Sequence, residues 1–177
     1  MRLLPILLLT ALPVAAFAAG SDKSEPPQPT ETTTECKNGQ VYDDKEKKCV
    51  KPQDSRLDDD TRFQAVRELA WAGRYDDAKI VMAAMTEGET DRVLTYQGFI
   101  LRKSGHVEEG IAAYEAALVK NPGNILAHSY YGQLLVEMNE MDAARGHLQA
   151  IRDHGGAGTW AETALASAIA TGQTYNF

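Results

Sequence analysis

The sequence contains only two cysteines among its 177 residues, Cys36 and Cys49. Their wide spacing lacks the tight geometry that tunes the thiols of a C-x-x-C redox site. No histidine lies near them in the sequence, so two thiols alone would leave the coordination of a metal ion incomplete. We therefore expect neither a redox centre nor a metal site at this pair.

Sequence patterns for catalysis are also missing. The chain has no G-x-S-x-G, no H-E-x-x-H and no glycine-rich phosphate loop after a strand. We accordingly expect no catalytic residues, no cofactor and no enzymatic activity. The formal net charge of −7 argues against nucleic acid as a partner, because an acidic chain repels the phosphate backbone.

Long hydrophobic runs are absent except at the start of the chain. Arg2 precedes an apolar run from Leu3 to Ala16, and the small-x-small pattern Ala16-Phe17-Ala18 follows. This layout predicts a signal peptide over residues 1–18 and export to a periplasm or beyond. A run retained as a membrane anchor is the alternative. No later segment is long and apolar enough to span a membrane, so we expect no span in the mature chain.

The next two segments are polar. Residues 19–35 are rich in proline and threonine and contain no large apolar residue, which predicts a disordered linker. Residues 36–50, CKNGQVYDDKEKKCV, carry both cysteines around two short strand patterns. In an exported protein such a pair favours a disulfide, so we predict a hairpin closed by Cys36 and Cys49. Such a hairpin acts either as a passive staple or as a docking element for a protein.

Helical periodicity begins at about residue 58. In YQGFILRKSGHVEEGIAAYEAALVKNPGN, one apolar stripe precedes Gly105, a second follows it, and Asn121-Pro122-Gly123 ends the second helix. This pattern predicts two antiparallel helices joined by a short glycine turn. Steps of 32 to 34 residues in either direction reproduce the pattern, and a further step places Trp160 in the first position of a single final helix.

The pattern resembles the tetratricopeptide repeat, and the resemblance covers residues 58–172. Its matching positions are Leu94, Gln97, Gly98, Leu101, Gly105, Gly110, Tyr114, Ala117 and Pro122. The resemblance implies an all-α solenoid of three helix-turn-helix repeats with a C-terminal capping helix. It does not reach the cysteines, so the small disulfide-closed hairpin that precedes the solenoid is predicted separately. The resemblance further implies a scaffold that binds a protein or peptide partner.

In tetratricopeptide arrays the first helix of each repeat lines a concave groove. Carried over to this sequence, the residues facing the groove are Phe63, Arg67, Ala70, Thr95, Phe99, Arg102, Ser129, Gln133 and Val136. We single out six of them, Phe63, Arg67, Thr95, Phe99, Arg102 and Gln133, as the expected peptide-binding residues. The arginines would pair with a carboxylate and Phe99 would cover an apolar side chain. The alternative is that the arginines only balance the acidic repeats.

These features predict an exported scaffold that holds a peptide segment of an envelope or periplasmic protein in the groove. A second hypothesis uses the hairpin instead. Its spacing C-x2-G-x-V-Y-D-x5-C is similar to a fragment of the peritrophin-type chitin-binding modules, which implies a glycan- or cell-wall-associated factor. Both hypotheses leave the partner's identity open.

Overall fold

The structure is a computed structural model that describes residues 24–175. The predicted signal peptide, residues 1–18, lies outside the described residues. The elements are α1 (Glu31–Thr34), β1 (Val41–Asp43), β2 (Lys48–Val50), α2 (Asp59–Trp71), α3 (Tyr75–Met82), α4 (Asp91–Lys103), α5 (Val107–Lys120), α6 (Ile125–Glu137), α7 (Met141–Asp153) and α8 (Trp160–Thr171).

Helices α2 to α7 form three antiparallel hairpins, and α8 packs against the last of them. The predicted solenoid of three repeats and a capping helix is therefore confirmed. The four inner helices, α2, α4, α6 and α8, each begin at a polar residue whose side chain accepts a bond from a backbone N–H of the first turn. Those capping residues are Asp58, Thr90, Asn124 and Thr159. Such caps fix where each inner helix starts.

The turn inside each hairpin needs one residue in the left-handed region. Gly73 and Gly105 fill this position in the first two hairpins, with φ of 73° and 86°. Asn139 fills it in the third, with φ of 62°, and asparagine is one of the few other residues that tolerate this conformation. The glycine turn predicted from the sequence is therefore confirmed at Gly105.

The second hairpin is unusually close-packed. A Cβ atom added at Gly98 of α4 would lie 2.7 Å from the ring of Tyr114 in α5. One added at Gly110 would lie 3.2 Å from the backbone of α4. The two glycines therefore let α4 and α5 pack so closely that the Tyr114 ring contacts the backbone of α4 at Gly98. This packing requires small residues at fixed positions, and these positions belong to the repeat pattern.

The disulfide-closed hairpin is present as predicted. β1 and β2 pair antiparallel, and the Cys36–Cys49 bond joins Cα atoms 5.5 Å apart. Val41 and Val50 are buried in the main core cluster, and Gly39 lies against Ile80 of α3. The hairpin thus covers the exposed end of the first repeat.

The prediction of a disordered linker needs correction for residues 24–35, while residues 19–23 lie outside the described residues. Residues 31–34 form α1, and the N–H and hydroxyl of Thr30 donate to the Glu68 carboxylate of α2 at 3.0 and 2.7 Å. Arg74 donates to the Thr33 carbonyl oxygen at 3.0 Å. Composition alone predicted disorder because the segment lacks apolar residues to bury. Hydrogen bonds to charged side chains of the repeat domain order the segment instead.

Candidate functional site

The space inside the helical array is filled by large aromatic side chains from the inner helices. Their ring centroids lie 4.9 Å apart for Phe99 and Tyr130, 5.9 Å for Tyr96 and Tyr130, and 5.1 Å for Trp71 and Trp160. The last pair joins the end of α2 to the start of α8. We call these five residues the aromatic cluster. The inner surface is therefore a core over most of its extent, and the cluster leaves little open groove.

The six predicted peptide-binding residues are all buried as a result. None of their exposed fractions exceeds 7%; these are 7% for Phe63, 3% for Arg67, 1% for Thr95, 3% for Phe99, 5% for Arg102 and 2% for Gln133. The other three residues assigned to the groove, Ala70, Ser129 and Val136, are buried as well. The expectation that these side chains line an open groove is wrong. The physical reason is the size of the neighbouring aromatic rings, which close the concave face.

The two arginines have partners within the chain. Arg102 donates two bonds to the Glu137 carboxylate, at 2.8 and 2.6 Å, and a third to the Tyr130 carbonyl oxygen at 3.0 Å. Arg67 donates to the Tyr96 hydroxyl at 3.2 Å and to the Glu25 carbonyl oxygen at 2.7 Å. Both guanidinium groups therefore have structural roles. Arg102 links α4 to α6, and Arg67 links α2 to α4 and to the N-terminal segment.

Two other predicted residues, Thr95 and Gln133, belong to buried polar networks. The Thr95 hydroxyl donates to the Asp91 carbonyl oxygen at 2.7 Å and accepts from the Asn124 amide at 3.2 Å. Gln133 donates to the Ser129 hydroxyl at 3.4 Å. The oxygen of Gln133 is the exception, because it accepts a bond from the segment that follows α8.

That segment is residues 173–175, which we call the return segment. After α8, Gly172 takes φ of 71° and turns the chain back across the inner helices. The Tyr175 N–H then donates to Gln133 Oε1 at 3.3 Å, and Lys103 Nζ donates to the Tyr175 carbonyl oxygen at 2.8 Å. A piece of the protein's own chain outside any helix or strand is thus held by side chains of α4 and α6.

Two further contacts involve side chains of the return segment. The Thr174 hydroxyl donates to the Glu137 carboxylate, and the Tyr175 ring lies 5.5 Å from the Trp160 ring at the start of α8. Lys103, Gln133, Glu137 and Trp160 together form what we call the return site. It lies where α4 and α6 end and α8 begins, on the rim of the aromatic cluster.

The charges of the return site are balanced. Burial raises the pKa of Glu137, but hydrogen bonds from Arg102 and Thr174 and the neighbouring positive charges outweigh it, so the net pKa is lowered. Burial and repulsion from Arg102 lower the pKa of Lys103, and Glu137 partly offsets them. The return site therefore offers the Glu137 carboxylate as an acceptor for a hydroxyl and the Lys103 ammonium group as a donor to a backbone carbonyl.

A histidine pair lies elsewhere, between α6 and α7. His128 Nε2 lies 2.9 Å from the Pro122 carbonyl oxygen, which can only accept, so Nε2 carries the proton in neutral His128. Nδ1 of His128 is then an acceptor for Nδ1–H of His147, 2.8 Å away. Burial, with a smaller contribution from His128, lowers the pKa of His147 to about 4. The sequence spacing alone did not bring these residues together.

Within residues 24–175 there is no group of three or more side chains suited to a metal ion. No helix in this part of the chain is long and apolar enough to cross a membrane. A cleft beside α3 is lined by residues of α3, α4 and the loop between them, among them Met82, Met85, Val93 and Leu101. Two surfaces hold a non-helical stretch of the chain: α2 contacts residues 25–30, and the return site contacts residues 173–175.

Comparison with known proteins agrees with this architecture. Residues 101–169 match the family model described as tetratricopeptide repeat, a range that runs from the last turn of α4 into α8. No curated protein and no solved structure matches the chain. The structure extends the same hairpin plan back to α2, and Tyr96 and Tyr130 occupy equivalent inner positions 34 residues apart. The match and the architecture together show that the chain contains tetratricopeptide repeats.

Proposed function

We propose that the protein is an exported scaffold that binds an extended segment of an envelope or periplasmic protein at the return site, without catalysis of its own. Tetratricopeptide repeats generally mediate protein–protein interaction through their inner surface. One observation carries the proposal: Gln133 and Lys103 already hold the backbone of Tyr175, in a segment outside any helix or strand. A site that binds the chain's own backbone in this way is suited to binding another chain's.

Export is part of the proposal because two features support it. The apolar start of the sequence has the layout of a signal peptide. Disulfides persist mainly in oxidising compartments, and the geometry of Cys36 and Cys49 is that of a formed bond. The scaffold would then meet its partner in the periplasm or outside the cell.

The second hypothesis, a glycan- or cell-wall-associated factor that uses the hairpin, gains no support from its packing. Val41 and Val50 face the core, and Cys36 is buried. The Asp43 carboxylate accepts from the backbone of Lys45 and Glu46 inside the hairpin turn. These residues are occupied in closing the first repeat, which is a structural role.

A crosslinking experiment tests the proposed function. A photo-crosslinking residue replaces Met138, which is exposed and follows Glu137 of the return site, or, as a matched control, Val119, which is exposed near the end of α5. After irradiation in cells that export the protein, mass spectrometry maps the crosslinked segments. We expect one recurrent partner segment from position 138 that is absent from position 119. Identical products from both positions, or none from position 138, would contradict the proposal.

A cell-wall binding assay tests the rival hypothesis directly. The mature chain is incubated with purified peptidoglycan, and the bound fraction is compared with that of a variant in which Lys45, Lys47 and Lys48 of the hairpin are replaced by serine. We expect no binding beyond that of an unrelated acidic protein. Binding that is lost in the hairpin variant would instead favour the glycan hypothesis.

A further inference from the structure

We propose that the return segment is a built-in competitor, and that the return site recognises extended segments in which a serine or threonine is followed by a large aromatic residue. A partner segment of this kind would bind by displacing residues 173–175. This inference rests on the proposed function, since it names the class of segment that the same site takes.

The backbone contacts explain why another chain can take the place of the return segment. Gln133 accepts from the N–H of residue 175, and Lys103 donates to the carbonyl oxygen of the same residue. Both bonds go to main-chain atoms, which every residue except proline offers in full. Any segment in the same extended conformation can therefore make them, whatever its sequence.

The side-chain contacts supply the selectivity. The Glu137 carboxylate is acceptor-only, so it selects a residue whose side chain carries a donor, as the Thr174 hydroxyl does. The Trp160 ring offers its surface to an aromatic ring at the following position, where Tyr175 lies. A hydroxyl residue followed by an aromatic residue meets both demands.

The side chains of the return segment are exposed or half-buried, which makes displacement feasible. Tyr175 remains 37% exposed although its ring contacts Trp160. Thr174 is half-buried and Gln173 is exposed, so no side chain of the segment is fully buried. The segment is joined to α8 through Gly172, which has a left-handed conformation. Because glycine has no side chain, its backbone can change conformation readily and let the segment move away from the site.

Tethering sets the strength of the competition. A short flexible connection gives the segment an effective concentration of about 1 mM at its own site. If the same peptide binds an empty site with a dissociation constant of about 0.1 mM, the tethered segment weakens the apparent affinity of any competitor about tenfold. Releasing the segment should therefore strengthen binding by that factor.

The test uses a fluorescein-labelled peptide with the sequence of residues 170–175, amidated at its C-terminus, and fluorescence anisotropy. The full chain is compared with the double variant Thr174→Ala/Tyr175→Pro, which removes the hydroxyl, the ring and the N–H that Gln133 accepts. Thr163→Ala, on the exposed face of α8, is the matched control. We expect the peptide to bind the double variant about tenfold more tightly than it binds the wild type or the control.

Two additional arms test selectivity and location. A peptide with alanine in place of Thr174 and Tyr175 should bind the double variant at least tenfold more weakly than the native peptide. Adding Lys103→Met to the double variant should weaken binding of the native peptide severalfold, while circular dichroism shows an unchanged fold. Equal affinity of wild type and double variant, or equal affinity of the two peptides, would overturn the inference.

Failure of the inference and failure of the proposed function give different results. If the crosslinking experiment finds no partner but the peptide binds the double variant as expected, the site's selectivity stands and the proposed scaffold role falls. If a partner is found at position 138 but the double variant binds the peptide no better than the wild type, only the competitor role is wrong.

Discussion

The two ends of the helical array are closed by different means. At the first repeat, a two-stranded hairpin of three-residue strands buries Val41 and Val50 and is closed by the Cys36–Cys49 disulfide. At the third repeat, α8 buries a continuous apolar face that includes Leu165. Terminal repeats must cover an apolar face that has no neighbouring repeat. A cap as small as the hairpin needs a covalent bond to remain folded, whereas a 12-residue helix covers the apolar face by packing alone.

The comparison extends to the chain segments beyond each cap. Residues 25–35 lie against α2, where Thr30 bonds to the buried Glu68 carboxylate. The return segment lies against α4, α6 and α8 through contacts that include the Thr174 hydroxyl, the Tyr175 ring and two backbone bonds of Tyr175. The first segment is continuous with a covalently closed cap, and the second is the exchangeable part of the molecule.

The largest effect is expected from the cap formed by α8. Leu165→Ala should lower the free energy of unfolding by about 4 kcal/mol, because it removes a fully buried side chain that packs on Gly132. Urea denaturation measures the change. A loss below about 1 kcal/mol would mean that α8 contributes little to the closure.

The contact between Gly132 and Leu165 can be isolated with a double-mutant cycle. A Cβ added at Gly132 would lie 2.5 Å from a methyl group of Leu165, so Gly132→Ala overpacks the wild type. In the Leu165→Ala background the same methyl has room and adds helix propensity. We expect Gly132→Ala to stabilise the Leu165→Ala variant relative to its effect in the wild type, with a coupling of about 1 kcal/mol or more. Simple additivity would contradict this packing.

The next largest effect is expected at the disulfide-closed cap. Cys36→Ser/Cys49→Ser should lower the free energy of unfolding by about 3 kcal/mol. Without the disulfide, the loop between two cysteines 13 residues apart is no longer closed in the unfolded chain, so the unfolded chain gains conformational entropy. Urea denaturation with and without a reducing agent measures it. The reductant should destabilise the wild type by a similar amount and leave the variant unchanged. An equal response of both proteins would show that the reductant acts elsewhere.

Much of this contrast could be predicted from the sequence. The apolar stripes on either side of Gly105 predict two helices, and the glycine between them predicts the turn. In the structure, Gly105 has the left-handed conformation that such a turn requires. The 34-residue recurrence carries the same assignment to α6 and α7. The disulfide followed from the pairing of two cysteines with a signal-like N-terminus. Local periodicity was sufficient for each of these features.

The closed inner surface could not be predicted by the same reasoning. Periodicity assigns Phe99 and Arg102 to the inner face of α4, but it does not give the distance to the facing helices. That distance depends on the sizes of Trp71, Tyr130 and Trp160 from separate repeats, which pack together only after the array curves. The recurrence of large aromatic residues on the inner helices was the signal that could have indicated a filled interior.

A smaller, pH-dependent effect is expected in the third repeat. Because the pKa of His147 is about 4 in the folded protein and its ordinary value is near 6.5, the unfolded chain takes up the proton first as the pH falls. The stabilisation is complete above pH 6.5 and is lost between pH 6.5 and 4. Allowing for partial exposure, urea denaturation at pH 7 and pH 5 should differ by about 1 kcal/mol.

His147→Asn is the control for this pH dependence. The asparagine side chain still offers an amide donor to His128 but does not titrate. The pKa of His128 is also lowered, mainly by burial, so a residual slope should remain. The variant should lose most of the difference between pH 7 and pH 5. An unchanged difference would place the responsible groups outside the third repeat.

The smallest effect on stability is expected at the return segment. Thr174→Ala/Tyr175→Pro should change the free energy of unfolding by less than about 0.5 kcal/mol, because its contacts lie at the surface. Urea denaturation measures this change as well. A loss above 1 kcal/mol would show that the segment belongs to the closure of the array and is not exchangeable.

The contact between Trp71 and Trp160 has a consequence for how the array loses its structure. In most repeat proteins each unit touches only its neighbours, so the outer units fray while the middle persists. Here the first and last inner helices meet through rings 5.1 Å apart, which couples units that are distant along the chain. Neither terminus can melt without breaking the contact that holds the other. Unfolding should therefore be a single all-or-none transition, as in an ordinary globular domain.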